Sequence, residues 1–468
     1  MALAVTLLQA GLWALLAAAS VHLLAAAVRA ARLPAIADEP LANQPLPTVT
    51  VQLPIRNEGA IAVGAARAAC ALDWPAGKLE VQLLDDSDDG TSALLDEAAV
   101  ELRAAGADVT VLRRGERRGW KAGNLQHGLA HARGEFVAVL DADARPPRDL
   151  LRKLVPPLLA EPSLGFAQGR WGFHNEAESL LTRIQAQILH ALFLVEQPLL
   201  SARRAPLQFN GSGGVWRRAA LEAAGGFLPS GGASLAEDLD VAWRARRRGF
   251  FGLARPGVVV DTELPSTMAA FRAQQKRWVR GGAEVLRATL RDGSPVALLG
   301  HLARHARQPY LVLLTAWLPL TTLDLVRPAL APAIAWPIVL ALLWLAIGSY
   351  YAAARRRLGR SALGGFLYAP VVAALSLGLC PSLTLAFLRG LAGAPGEFER
   401  TPKRGEAARA HERARLDPLA LVEVAVGVLY ATLAVRAVSA GALGGALVLG
   451  GLFAGGYLWV GLGSLVDR

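Results

Sequence analysis

Two groups of carboxylates stand directly after apolar runs and carry the densest chemical signal in the chain. Leu79–Leu84 leads into Asp85, Asp86, Ser87, Asp88, Asp89 and Gly90, and Phe136–Leu140 leads into Asp141, Ala142 and Asp143. Asp and Gly are ordinary turn formers, which accounts for Asp88, Asp89 and Gly90. It does not account for Asp141 and Asp143, because carboxylates at i and i+2 beside a buried strand end repel one another. A divalent cation relieves that repulsion, and hard oxygen ligands select Mg²⁺ or Mn²⁺, so Asp141 and Asp143 are read as metal ligands. A third acidic element, Ala236-Glu237-Asp238-Leu239-Asp240, has two readings. It is either a helix start whose acids complement the dipole, or it supplies a general base that takes a proton from an attacking hydroxyl.

Basic and aromatic residues complete the set. Lys121-Ala122-Gly123-Asn124-Leu125 follows a run of Arg and Gly. A lysine among small residues entering a helix suits a phosphate contact, and a solvated basic turn is the alternative. In Gln274-Gln275-Lys276-Arg277-Trp278, helical spacing puts Gln274, Arg277 and Trp278 on one face. Arginine grips pyrophosphate as a fork and an indole offers a platform for a sugar ring; a Trp anchor at a membrane surface is the other reading.

These residues need elements that bring them together. Val49–Leu53, Leu79–Leu84, Val109–Leu112 and Phe136–Leu140 are short β-type runs separated by helix-like stretches. The pattern predicts an α/β domain from Val49 to about Gly300, with a largely parallel sheet that binds ligands at the carboxyl ends of its strands.

Composition adds a membrane. Hydrophobic residues make up 53% of the 468 residues and charged ones 19%, which points to surface facing lipid. Two cysteines, Cys70 and Cys380, exclude a disulfide framework and a Cys-ligated zinc site. The net charge of +11 collects beside apolar segments, at Arg29, Arg32, Arg355–Arg357, Arg360, Lys403 and Arg404. That placement marks cytoplasmic flanks of membrane helices, and with no basic-aromatic reading motif it excludes a nucleic-acid partner. Leu3–Ala31 lacks the short core and leading charge of a signal peptide and reads as a retained anchor. Pro309–Val326, Ala329–Ala353, Leu419–Ala440 and Gly441–Leu465 are further candidate spans. Gly364–Leu388 lies between two basic regions that both belong inside, and Pro370 and Pro381 interrupt it. It is expected at the membrane surface or re-entrant, giving about five spans plus one interfacial segment. The alternative is a sixth span with an extracellular basic loop.

The ordered motifs resemble those of a membrane-integrated, cellulose-synthase-like family 2 glycosyltransferase, from about Val49 to Lys403. Leu53-Pro54-Ile55-Arg56-Asn57-Glu58 resembles the opening nucleotide-binding loop, Asp85–Asp89 the first acidic motif, Lys121–Leu125 the diphosphate lysine motif, and Asp141-Ala142-Asp143 the metal motif. Phe209-Asn210-Gly211-Ser212-Gly213-Gly214 resembles the acceptor-side loop, Glu237-Asp238 the catalytic-base motif, and Gln274, Arg277 and Trp278 the Q-x-x-R-W signature. The stretch Gln168–Gln197, with Trp171, Asn175 and Glu196, is similar to mannan-synthase-like and related bacterial enzymes. Phe398–Lys403 resembles a gating loop, with an arginine where the family has valine and a proline at the variable position.

The resemblance implies a GT-A type, Rossmann-like nucleotide-sugar-binding domain inserted between transmembrane helices. It implies an inverting, metal-dependent hexose transfer, with Asp238 as the catalytic base and Asp141 and Asp143 holding Mg²⁺ or Mn²⁺. The donor, UDP-glucose or GDP-mannose, would be bound by Pro54, Arg56, Glu58, Asp86, Lys121, Asp141 and Arg277. The acceptor would be bound by Gly211, Ser212, Glu237, Gln274 and Trp278. The implied organisation is an anchor (1–33), a cytoplasmic catalytic domain (45–300) and two transmembrane helices (301–362). An interfacial segment with a gating-like loop (363–416) and two further helices (417–468) follow, in a multi-pass protein of the plasma membrane among membrane lipids. The expected product is a β-linked polysaccharide. The alternatives are a single-transfer glycolipid synthase or a non-catalytic membrane scaffold or transporter.

Overall fold

Strand β1 (Val49–Ile55) sets the frame of the molecule. Val49, Val51, Leu53 and Ile55 are buried on one face, and Thr50 and Gln52 are buried on the other. Buried polar groups must be paired, and these reach across to β2 (Leu79–Asp85): Thr50 Oγ1 donates to Glu80 at 2.6 Å and Gln52 Nε2 to Gln82 Oε1 at 3.1 Å. The structure is a computed structural model that describes residues 2–34, 45–228, 235–291, 307–322, 335–393 and 417–466.

Strands β3 (Val109–Leu112), β4 (Phe136–Val139), β5 (Leu164–Phe173), β6 (Gly214–Arg217) and β7 (Phe251–Thr262) complete a seven-stranded sheet of order β3-β2-β1-β4-β6-β5-β7. The expected parallel pairing holds among β1–β4 and between β5 and β7. The sheet is mixed, however, because β6 runs antiparallel to both β4 and β5. Sequence patterning stops at β4 for a physical reason. Strand β5 contains Gly165, Gly169 and Gly172, β7 contains Pro256 and Gly257, and their pairing shifts register between Gly169 and Arg170. No clean alternation survives in either strand.

Helices Gly59–Cys70, Thr91–Ala104 and Leu150–Ala160 cover one sheet face, packing on Phe136 and Ala138 of β4. Helices Trp120–His131, Arg218–Ala223 and Glu237–Arg247 cover the other, packing on Val137, Val139 and Trp216. The amphipathic helix Met268–Arg291 then leads from the sheet domain onto a helical bundle, where Phe271, Val279, Ala283 and Leu286 pack with Leu379, Leu383 and Phe387.

Four described helices are long and apolar enough to cross a membrane: Ala10–Ala31, Leu363–Ala392, Pro418–Ser439 and Leu443–Val466. Helices Arg307–Thr322 and Ala335–Arg357 overlap two other expected spans, Pro309–Val326 and Ala329–Ala353. The prolines do not interrupt Leu363–Ala392, which is one helix of 30 residues. Pro370 has no N–H for the carbonyl of Phe366, and Trp344 Nε1 donates to that carbonyl instead, at 3.1 Å. Both ends of this helix lie against the catalytic side. A Cβ on Gly364 would meet Arg355, whose Nη1 donates to Gln187, and a Cβ on Gly390 would meet the carbonyl of Arg280 at 2.5 Å. The gating-like stretch 398–403 and the expected boundary at residue 300 lie outside the described residues.

Because Leu53 is fully buried at the centre of β1, Leu53→Ala is expected to cost about 2–5 kcal/mol of stability. Val100→Ala, at a site 63% exposed, is expected to change it by less than about 0.5 kcal/mol. Thermal unfolding of the two variants checks the contrast, and equal losses would contradict the packing assigned to β1.

Candidate active site

The carboxyl ends of β1, β2 and β4, the start of β6 and the end of β7 open into one cleft of about 500 Å³. All fourteen residues singled out from the sequence line it: Pro54, Arg56, Glu58, Asp86, Lys121, Asp141, Asp143, Gly211, Ser212, Glu237, Asp238, Gln274, Arg277 and Trp278. Sheet topology accounts for the gathering, since parallel strands deliver their following loops to the same edge.

The acidic cluster after β2 divides by contact. Asp85 is buried and accepts from Ser92 Oγ at 2.7 Å, the Ser87 N–H at 3.0 Å and Arg113 Nε at 2.8 Å. Burial opposes its charge, but these donors outweigh burial and hold its carboxyl below the ordinary range. Asp85 is therefore part of the scaffold. Asp86 meets Arg114 in a fork, Nε to Oδ1 at 2.8 Å and Nη2 to Oδ2 at 2.5 Å, with side chains only 6% and 9% exposed. The same guanidinium donates to the carbonyls of Arg118 and Trp120 at 2.7 Å each, tying Asp86 to the turn that precedes Lys121. That turn passes through Gly119 (φ 76°) and Trp120 (φ 46°). It also needs Gly123, where a Cβ would sit 1.9 Å from the Arg118 carbonyl oxygen. Asp88 is occupied by Arg56 at 3.1 Å and Asn57 Nδ2 at 2.7 Å.

Lys121 stands at the centre. Its ammonium lies 2.6 Å from Asp141 Oδ1, 2.9 Å from the Gly211 carbonyl and 3.5 Å from Glu237 Oε1. Burial alone would lower its pKa, but Asp141 and Glu237 outweigh burial and hold it above the ordinary lysine range. The backbone N–H of Asp141 donates to Ser212 Oγ at 2.8 Å, and Asp143 accepts from Thr262 Oγ1 at 2.6 Å. The dyad is thus held from two places: the Asp141 backbone by Ser212 in the loop before β6, and the Asp143 carboxylate by Thr262 at the end of β7. Among the described residues no group of three His, Cys, Asp or Glu side chains is arranged to hold a metal on its own.

Glu237 and Asp238 open the helix Glu237–Arg247, and Asp240 is taken by Arg244 at 2.9 Å. Burial, then the neighbouring Glu237, pushes the Asp238 carboxyl up to about 7, against the pull of Lys121 and of the Leu239 N–H at 2.8 Å. A carboxylate raised to this level is a competent proton acceptor at neutral pH. Gly211 lets the loop before β6 approach it: its φ is +73°, and a Cβ there would lie 3.1 Å from Asp238 Oδ2 and 3.2 Å from the Lys121 ammonium.

Aromatic rings also line the cleft. The Trp171 and Trp278 rings are 6.3 Å apart at 47°, Trp171 Nε1 donates to the Ser212 carbonyl at 3.2 Å, and Tyr350 and Tyr351 extend this lining toward the bundle. Gln168 Nε2 donates to the same carbonyl at 3.0 Å, fixing the loop from below. Arg114, Arg117, Trp120 and Thr262 also belong to the site or its support, and were not singled out from the sequence. The arginine run before Lys121 was a signal for the first two; nothing in β7 advertised Thr262.

An acidic dyad, a lysine and a raised carboxylate at the carboxyl edge of this mixed sheet define a GT-A type glycosyltransferase. Residues 50–215 match glycosyl transferase family 2, and residues 136–349 match glycosyl transferase family group 2. Over 254 residues the chain is 40% identical to glucomannan 4-beta-mannosyltransferase 2 of Arabidopsis thaliana, a match covering 53% of this chain and 47% of that one. Over 259 residues it is 38% identical to glucomannan 4-beta-mannosyltransferase 1 of Oryza sativa subsp. japonica, covering 54% and 49%. The chain spans about half the length of these relatives. Its fold is similar to that of a mannosyltransferase from Pyrobaculum calidifontis in complex with GDP-Man and Mn²⁺, with a TM-score of 0.52 and 23% identity over 82% of this chain and 100% of that one. Residues 50–349 thus form a family 2 glycosyltransferase domain, similar over about half the chain to the glucomannan mannosyltransferases.

Gly211→Ala is expected to lower sugar transfer by at least about tenfold, because the added Cβ is strained at this φ and crowds Asp238. Steady-state rates on folded protein check this, and an undiminished rate would show that the loop approaches Asp238 less closely.

Proposed function

We propose that the protein transfers a hexose, mannose in preference to glucose, from a nucleotide-diphosphate sugar to a hydroxyl of a growing β-linked glycan, with inversion at the anomeric carbon. The observation that carries this reading is the gathering of Asp238, Lys121 and Asp141 in one cleft that aromatic rings also line. The preference for GDP-mannose rests on the names of the relatives and on the GDP-Man complex of the Pyrobaculum enzyme. The rings Trp171, Trp278, Tyr350 and Tyr351 favour a sugar acceptor over a lipid one, since sugar faces stack on aromatic platforms.

Asp141 and Asp143 suit Mg²⁺ or Mn²⁺, which proteins commonly hold by one or two carboxylates while substrate phosphates and water fill the remaining positions. A cation bound there would neutralise the donor diphosphate and stabilise charge on the leaving group. Lys121 and Arg277 bind the diphosphate, and Pro54, Arg56, Glu58 and Asp86 line the nucleotide end. Gly211, Ser212, Glu237, Gln274 and Trp278 hold the acceptor so that one hydroxyl faces Asp238. Asp238 accepts that proton as the oxygen attacks from the face opposite the leaving group, so a single displacement gives a β-linkage from an α-linked donor. No residue needs to form a covalent intermediate.

The same reading puts the catalytic domain at the cytoplasmic face of the plasma membrane, among membrane lipids. Arg360 pairs with Glu176, and Lys276 with Asp417 at 2.9 Å, which keeps the segments on either side of Leu363–Ala392 next to the catalytic domain. With both its ends on that side, Leu363–Ala392 is assigned to the membrane surface rather than to a crossing.

Asp238→Asn is expected to lower turnover by about 10²–10⁴-fold and to change the donor Kd by less than about twofold. In the wild-type protein the carboxylate must be deprotonated to act, so kcat/KM should climb as pH rises through about 7. Full activity of the variant, or a profile flat across neutral pH, would remove Asp238 as the base.

A further inference from the structure

We infer that Arg272 and Glu423, a buried ion pair outside the cleft, form a positioning device that sets the acceptor side of the site. The inference rests on the transfer reading above. Arg272 lies on the helix Met268–Arg291, which also carries Gln274, Arg277 and Trp278. At about 100° per residue, Gln274, Arg277 and Trp278 fall on the face roughly opposite Arg272 and Lys276. One face of this helix therefore lines the cleft while the other is fastened to the bundle.

The fastening is specific. Arg272 is 3% exposed and Glu423 is 0% exposed. Arg272 Nη1 lies 2.7 Å from Glu423 Oε2, and Glu423 Oε1 accepts from Ser382 Oγ at 2.8 Å. Arg272 also donates to Ser382 Oγ and, at 3.3 Å, to Ser464 Oγ, while its Nε lies 3.3 Å from Asp417 Oδ2. Lys276, one turn on, reaches the same Asp417 at 2.9 Å. The partners come from Leu363–Ala392 (Ser382), Pro418–Ser439 (Glu423) and Gly455–Val466 (Ser464). Apolar side chains alone would let the helix settle in neighbouring registers on these surfaces. A guanidinium fork among carboxylate and hydroxyl partners accepts one register. Buried ion pairs are poor sources of net stability and are best attested as devices that fix register. The pair thereby fixes the depth and rotation at which Gln274, Arg277 and Trp278 enter the cleft.

Glu423→Gln and the double variant Arg272→Met/Glu423→Met, in the full membrane-embedded chain, test the assignment. Glu423→Gln strands a buried charge and lowers the thermal midpoint, whereas the double variant removes both charges and regains it. The readout is the KM for a β-1,4-linked manno-oligosaccharide acceptor beside the KM for GDP-mannose. A positioning role predicts an acceptor KM raised at least about fivefold in the double variant, a donor KM within about twofold of wild type, and faster amide exchange over residues 274–278. A double variant with both its midpoint and its acceptor KM restored would reduce the pair to a structural role and overturn the inference. Should both variants fail to fold, Ser382→Ala carries the same comparison, with an acceptor KM expected to rise about threefold and an unchanged value counting against the pair. Absence of mannose transfer by the wild-type protein would sink the transfer reading instead. Amide exchange over 274–278 needs no substrate, so it still decides the positioning claim in that case, with wild-type exchange in the variants overturning it.

Discussion

The structure is organised around an excess of carboxylates that face one ammonium. Asp141, Glu237 and Asp238 converge at the edge of the sheet, and Lys121 is the cation set among them, 2.6 Å from Asp141. Carboxylates gathered in a partly buried cleft repel one another unless positive charge is supplied. Lys121 supplies one charge against three carboxylates, and burial together with the neighbouring Glu237 still raises the Asp238 carboxyl. A site held short of positive charge in this way suits a reaction that brings in a cation and separates a phosphate leaving group from an attacking hydroxyl.

Each side of that arrangement is held by a different body. The proposed donor side hangs from the sheet: Ser212 and Thr262 hold the acidic dyad, and Arg114 joins Asp86 to the turn before Lys121. The proposed acceptor side hangs from the helix Met268–Arg291, whose other face is bonded into the bundle through Arg272 and Lys276. The cleft is thus also the seam between sheet domain and bundle. On the proposed function, the residues that orient the acceptor depend on the apolar helices packed against the catalytic domain.

Much of this was legible in the sequence because it is local. The β1 and β2 runs end where their following loops begin the site, and the Asp141-Ala142-Asp143 and Gln274–Trp278 spacings mark chemistry within a few residues. What was illegible is what arises between distant segments. Thr262 reaches Asp143 across 119 positions and Arg272 reaches Glu423 across 151, with no local pattern to announce either. Strands β5 and β7 escaped because glycine, proline and a register shift erase alternation. Of the two prolines expected to interrupt Leu363–Ala392, Pro370 is accommodated because a distant indole, Trp344, satisfies the carbonyl it leaves open.

The central claim is a single displacement at one anomeric carbon in this cleft, and the configuration of the product tests it most directly. Purified full-length protein, given GDP-α-mannose labelled with ¹³C at the anomeric carbon and a manno-oligosaccharide acceptor, should yield a new linkage whose one-bond C–H coupling and chemical shift are those of a β-mannoside. An α-linked product would contradict single displacement with Asp238 as base.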